Sequence, residues 1–281
     1  MTQVSLVLEG GAKRGIYTAG VLDVLLENNI IIPAVFGVSA GAIHGCTYAA
    51  KQIGRSIRYN LKYGNDSRFM SLKNWLKTGN VVDTDFCYHE LPDVLDPFDH
   101  EAFETSSIKF YAVCSNLETG QAEYVWCPEL RTKIDYIRAS ASLPFFSKIV
   151  EIDGKKLLDG GICDSIPLKA AEKHGYAKNI VVLTRPAGYR KKASLNRWLA
   201  KVVFRKYPRF AKAIINRADM YNAELDDVAQ AEQKGTAMVL RPSRFVPIHH
   251  MEHDLNIVRE MYELGRADAS AALERIKEFI R

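Results

Sequence analysis

The 281-residue chain has no apolar run approaching about 18 residues, which argues against a transmembrane helix. Its start has no basic region followed by an apolar core and a cleavage site. Met1-Thr2-Gln3 leads directly into the apolar run Val4 to Leu8, which reads against a secretory signal. Cysteine is scarce and scattered: Cys46, Cys87, Cys114, Cys127 and Cys163 show no CxxC spacing. That pattern excludes a disulfide framework, gives no zinc site, and points to reduced thiols and a cytoplasmic setting. There is no repeat of fixed period, no low-complexity tract and no Pro/Gly/Ser-rich linker, so a solenoid or a beaded chain is excluded. Charge is nearly balanced, with a net of +5, and 47% hydrophobic residues are enough to build a folded core. One stretch breaks the balance. Between Arg185 and Ala218 there is no acidic residue at all.

What is present alternates between strands and helices. Val4 to Leu8 reads as a buried strand, and Ile16 to Glu27 as a helix with Val21, Leu22, Leu25 and Leu26 on one face and Asp23 and Glu27 on the other. Ala34-Val35-Phe36 gives a second strand, and Ala40 to Ile53 a small-residue helix. Residues 54–97 are less regular and suit short helices over a site. Ile108 to Cys114 and Glu123 to Cys127 read as a hairpin, and a second hairpin turns at Asp153-Gly154. Pro167 to His174 suits a helix; Ile180 to Thr184 and Ala237 to Leu240 read as strands; Leu255 to Arg281 suits one or two helices interrupted near Gly265. The alternation predicts an α/β fold, a three-layer α/β/α sandwich around a mostly parallel sheet.

Three chemical features fall at predicted strand ends. The first is the loop Gly10-Gly11-Ala12-Lys13-Arg14-Gly15. The second is Gly37-Val38-Ser39-Ala40-Gly41, a Gly-x-Ser-x-Gly sequence between a strand and a helix. Such an elbow exposes a serine hydroxyl on a sharp turn, Gly37 and Gly41 allow close backbone passage, and the helix N-terminus offers N–H groups to a developing oxyanion. The third is Asp159-Gly160-Gly161. Open parallel sheets gather ligands at the carboxyl ends of their strands, so an anion site, a nucleophile and a carboxylate can meet there.

In that order, these motifs resemble the patatin-like phospholipase family over roughly Val4 to Ala171. Ala139-Ser140-Ala141-Ser142-Leu143-Pro144 and the tail from Asp159 to Pro167 are similar to two further family segments. The resemblance implies a bacterial patatin-like serine hydrolase acting on lipid or other acyl esters, with a catalytic region over 4–171. Residues 172–281 are then an α/β extension of the same globule. It implies a Ser-Asp dyad without histidine: Ser39 as nucleophile, Asp159 as general base, and the N–H groups of Gly10, Gly11 and Ala12 as oxyanion donors. Arg14 matches the family's basic loop residue, and Gly15, Gly160 and Gly161 complete the supporting turns. The scheme uses no cofactor and no metal. A free aspartate, with a pKa of about 3.9, is a poor base for a hydroxyl, so burial must raise its basicity. The family often carries glycine where Ala12 stands, and Asn followed by a small spacer where Ser165 and Ile166 stand.

Other readings compete. A glycine-rich loop after a first strand suits a dinucleotide, but the second strand then wants an acidic end, and Gly37-Val38-Ser39 stands there. Of seven histidines, His44 reads as packing and His89, His100 and His174 as surface. His249 and His253 are spaced to bind a metal on a helix, but Pro247 and the polar mix favour a solvated helix start. In the basic stretch, Leu195, Trp198, Leu199, Val202 and Val203 recur at helical spacing against Arg197, Lys201 and Arg205. Pro208 then opens a second run with Phe210, Ala211, Ile214 and Ile215. A helix packed on the core with a solvated basic back is one reading. Peripheral contact with an anionic membrane through Arg190–Arg217 is the other. No nucleic-acid motif accompanies the patch. The rival to catalysis is a membrane-surface lipid-binding protein that keeps the fold.

Overall fold

The computed structural model describes residues 4–193 and 197–281. Eight strands form one sheet: β1 (Val4–Leu8), β2 (Ala34–Val38), β3 (Lys109–Asn116), β4 (Ala122–Trp126), β5 (Val150–Ile152), β6 (Lys155–Asp159), β7 (Lys178–Val182) and β8 (Ala237–Leu240). Their order is β5-β6-β3-β2-β1-β7-β8, with β4 also paired to β3. The five central strands β3-β2-β1-β7-β8 are parallel, and β4, β5 and β6 add antiparallel pairs at one side. β7 and β8 lie beyond residue 171, yet β7 pairs directly with β1 in the middle of the sheet.

Alternation along β1 divides the core. Leu6 and Leu8 join a cluster with α1 (Ile16–Glu27), α2 (Ala40–Ala49) and the helix Leu255–Ala271. Val7, with Phe36 and Val181, points the other way, against the helices Leu168–Lys173 and Pro208–Gln233. The sheet is therefore covered on both faces, as its continuous apolar strands require.

Two helical expectations change. Asp23 is buried, because the helix Leu255–Ala271 covers that side of α1 and the Tyr262 hydroxyl donates to Asp23 Oδ2 at 2.7 Å. Nor does Gly265 interrupt its helix; the break comes at Ala272, between Leu255–Ala271 and Leu273–Ile280. Gly20 and Gly265 are contact points. A Cβ at Gly20 would stand 2.2 Å from the Tyr262 oxygen, and one at Gly265 2.1 Å from the Tyr17 oxygen. The two backbones touch where side chains would keep them apart.

Residues 54–97 form the helices Arg55–Tyr63 and Leu72–Thr78 and a π-helical segment Phe86–Leu95; the first packs on α1 and α2, and Tyr59, Phe86 and Leu91 join it to the last as a roof. Among the described residues, no helix is long and apolar enough to cross a membrane.

Candidate active site

Strand register assembles the site. Leu8 pairs with Gly37, Val38 pairs with Val113, and Cys114 pairs with Asp159. Gly10 lies two residues past the first pair, Ser39 one residue past the second and Asp159 in the third, so all three gather at one end of the neighbouring strands β1, β2, β3 and β6. The carboxylate thus arrives on the antiparallel strand β6, and register with β3, not a shared carboxyl edge, brings it to the serine.

Ser39 lies between β2 and α2 at φ 53° and ψ −118°, a region that non-glycine residues occupy only under constraint. Contacts on each side enforce the turn. A Cβ at Gly37 would lie 2.6 Å from Ala42 Cα, and one at Gly41 would lie 2.4 Å from the Leu8 oxygen. The Gly10 to Gly15 loop packs against it: Gly10 sits against Ser39 and Val38, Gly11 against Thr184, and Gly15 against Ala40. Ala12 is held at φ 48°, a left-handed backbone that glycine adopts at lower cost. Among the described residues, the N–H groups of Gly10, Gly11 and Ala12 have no backbone acceptor.

Asp159 is 2% exposed. Burial pushes its carboxyl above the usual carboxylate range, against the opposing pull of Arg217, the nearby Ser39 side chain and the Gly161 N–H. That N–H donates to Asp159 Oδ1 at 2.8 Å. Gly160 and Gly161 form the tight turn after it, and the Gly161 oxygen accepts from Arg217 Nε at 2.6 Å and from Ser165 Oγ at 2.8 Å. Ser165 therefore holds the loop. Its N–H, with that of Ile166, donates to Glu224 of the helix Pro208–Gln233. Burial, and then Asp164 beside it, push the Glu224 carboxyl above its usual range.

The segment 139–144 has a role that its sequence does not display. Ser140 Oγ accepts from the Ser39 N–H at 2.9 Å and donates to the Val113 oxygen at 2.6 Å, while the Ser142 oxygen accepts from the Asp159 N–H at 2.9 Å. It ties the backbones of both residues together. Ser140→Ala strands two buried polar groups, at roughly 1–3 kcal/mol each. Chemical denaturation should show a midpoint lowered accordingly; an unchanged midpoint would remove the tie.

Two cavities meet at Ser39. A largely apolar one of about 320 Å³ lies under the 54–97 roof, with Ile16, Ile43, Tyr59, Phe69, Leu91 and Ile137 on its walls. A small polar one of about 50 Å³ lies on the other side, and Ala12, Ser39 and Leu143 border both. The polar cavity is lined by the glycine loop, Asp159 and four cations: Arg14, Arg185, Lys191 and Arg217. Glu9 anchors its floor, accepting from the Thr184 N–H at 2.5 Å and from the Tyr221 hydroxyl at 2.6 Å.

Among the described residues no histidine hydrogen-bonds Ser39 or Asp159, although His44, His89 and His100 border the apolar cavity. His44 is buried against Ser56 Oγ at 2.9 Å, and burial lowers it to about 3, so it stays neutral. His174 packs on Phe36 and Tyr111. Among the described residues no group of three His, Cys, Asp or Glu could hold a metal ion. His250, from the cluster read as a helix start, instead reaches Arg14 at 3.3 Å and borders the polar cavity.

A model of the patatin-like phospholipase family matches residues 6–172. The chain belongs to that family. A second model, of a domain of unknown function (DUF6363), matches residues 207–281. Outside the patatin-like match, then, lie Arg185, Lys191, Arg217 and Tyr221, which border the same cavity as its Ser39 and Asp159. The chain is 27% identical to protein YjjU of Escherichia coli (strain K12) over 275 residues, 94% of this chain and 75% of that one. It is 25% identical to lysophospholipase nte1 of Emericella nidulans over 297 residues, 98% of this chain but 18% of that protein. Among solved structures, VipD from Legionella pneumophila aligns over 96% of this chain and 67% of that one, at 13% identity and a TM-score of 0.43.

Proposed function

We propose that this patatin-like protein hydrolyses acyl esters of lipids, in the manner of a phospholipase A or lysophospholipase. The observation that carries the reading is the placement of Ser39 in a strained turn. It borders the same polar cavity as the buried Asp159 carboxyl and stands where an acyl-sized apolar cavity meets that cationic one. Ser39 Oγ attacks the ester carbonyl while Asp159 takes its proton. The N–H groups of Gly10, Gly11 and Ala12 receive the oxyanion. Asp159 returns the proton to the leaving alcohol, and a water then attacks the acyl-enzyme, with Asp159 again as base. Each oxyanion donor of this kind stabilises the transition state by about 2.7–4 kcal/mol. The similarity to lysophospholipase nte1 of Emericella nidulans agrees with this chemistry. The test is a hydrolysis panel across lysophospholipids, diacylphospholipids and short-chain esters. Release of fatty acid is expected, and vesicle binding with no turnover on any ester would favour the non-catalytic lipid-binding alternative.

Delivery to lipid falls to part of the basic stretch. Leu195 lies outside the described residues, and the remaining residues divide. Arg190 pairs with Asp226, and Lys191 and Arg217 border the polar cavity. In the helix Arg197–Val203 and just after it, Ala200 and Phe204 pack inward. Trp198, Val202 and Val203 stand exposed beside the exposed Lys201 and Arg205. Exposed Trp and Val among cations suit an anionic membrane surface. Sedimentation with anionic vesicles should fall as salt rises, and should fall several-fold in Trp198→Ser with Lys201→Glu and Arg205→Glu. Unchanged sedimentation of that variant would rule the surface out.

A further inference from the structure

The polar cavity beside Ser39 holds more positive charge than the hydrolytic scheme uses. Arg14, Arg185, Lys191 and Arg217 line it, with only the Glu9 and Asp159 carboxylates facing them. Among the described residues, none of the four cations forms an ion pair. The Glu9 oxygens are taken up by Thr184 and Tyr221. Arg14 Nε is buried with no partner. Four half-buried cations facing two carboxylates leave positive charge in excess, which is costly unless something anionic completes it.

The cluster is also held in place before any ligand arrives. Asn222 of the helix Pro208–Gln233 accepts from the Lys191 N–H at 2.8 Å and donates to the Lys191 oxygen at 3.0 Å. The Lys191 Nζ sits 5.2 Å from the centre of the Tyr221 ring, the Arg185 guanidinium sits 4.5 Å from the centre of the Tyr189 ring, and Arg217 is fixed on the Gly161 oxygen. The mutual repulsion is visible in the titrating groups. Burial first, and then Arg217 and Arg14, lower Lys191 to about 8. Burial and the surrounding cations lower His250 to about 4, leaving it a neutral acceptor for Arg14. A water needs about 10–15 Å³ of such space, so the cavity's 50 Å³ takes a few waters or one small oxyanion.

We propose that Arg14, Arg185, Lys191 and Arg217 form a phosphate site that receives a phosphomonoester dianion next to Ser39. Two unbalanced positive charges match a dianion and disfavour a headgroup that carries its own ammonium. The segment after residue 172 would thus set headgroup preference, towards lipids ending in a bare phosphate. That lipid assignment rests on the acyl-hydrolase reading; the phosphate site itself can be read without turnover.

The test is calorimetric titration of the full chain in the Ser39→Ala background, at constant ionic strength in chloride. The probes are inorganic phosphate, lysophosphatidate, lysophosphatidylcholine and a monoacylglycerol, the lipids below their micellar concentration. Phosphate and lysophosphatidate should bind, and lysophosphatidate should bind more tightly than lysophosphatidylcholine or the monoacylglycerol. Arg185→Ala and Lys191→Ala should each weaken phosphate roughly 10- to 100-fold, the share of one charge-assisted contact. If Lys191→Ala fails to fold, Lys191→Met keeps an unbranched side chain of similar length without the charge and carries the same expectation, with Lys191→Arg restoring binding. Equal affinity for phosphate and lysophosphatidate assigns the pocket to a free phosphate ion; much tighter lysophosphatidate assigns it to a lipid headgroup. No phosphate binding, binding indifferent to Arg185 and Lys191, or lysophosphatidylcholine binding as tightly as lysophosphatidate overturns the proposal. A hydrolysis panel that fails while phosphate binds would sink the acyl-hydrolase reading alone.

Discussion

Ser39→Ala will abolish covalent labelling by a fluorophosphonate and reduce ester hydrolysis by several orders of magnitude. Removing a serine nucleophile can cost on the order of 10⁶ in kcat, leaving only what binding and oxyanion donors supply. The structure separates this loss from unfolding. Ser39 is held at φ 53°, so Ser39→Gly relieves a backbone that costs about 1–3 kcal/mol in any residue with a side chain. The glycine variant should therefore be as inactive as the alanine variant and melt no lower than the wild type. Labelling that persists in both would remove Ser39 as the nucleophile.

Asp159→Asn should lower turnover by roughly 10²–10⁴-fold, the usual contribution of a general base, while leaving the fold at least as stable at neutral pH. The sign follows from the carboxyl's environment. Burial raises its pKa in the folded protein above the unfolded value despite Arg217, Ser39 and Gly161. The stability it contributes is full below the unfolded pKa and is lost as pH rises through the raised folded value. At neutral pH the charge is a net cost that asparagine removes. In the wild type, kcat/KM should fall as pH drops through that raised value, and the variant should lose this acid limb. Thermal melts and a pH series on a short-chain ester measure both. Near-wild-type turnover in Asp159→Asn would dismiss it as the base.

The sequence made the framework readable where the determinants are local. Val4–Leu8, Ile16–Glu27 and Ala237–Leu240 have the bounds that β-branched content and helical periodicity indicate. The glycine loop, Ser39 and Asp159 could be picked out because each needs a particular residue type at a turn. What stayed hidden depends on distant partners. Asp23 looks like a solvent-facing helix residue until Tyr262, 239 positions away, donates to it. Gly265 looks like a break because nothing nearby shows that α1 presses on it. Ser140 sits in a plain run of small residues, and only the fold puts its hydroxyl under the Ser39 N–H. Composition showed an acid-free stretch from Arg185 to Ala218, but composition carries no direction. Arg185, Lys191 and Arg217 turn towards Ser39, whereas Lys201 and Arg205 face solvent.

The pairing of β7 with β1 bears on how such a chain can be cut or recombined. The patatin-like match ends at residue 172, but β7 begins at Lys178 and hydrogen-bonds along all of β1. A fragment ending at the family boundary would leave its first, fully buried strand with a bare, apolar edge, a template for aggregation. Splicing a foreign tail at that seam would fail unless the newcomer supplied a strand in the same register. Whatever follows residue 172 must therefore offer β1 a strand that fits its register.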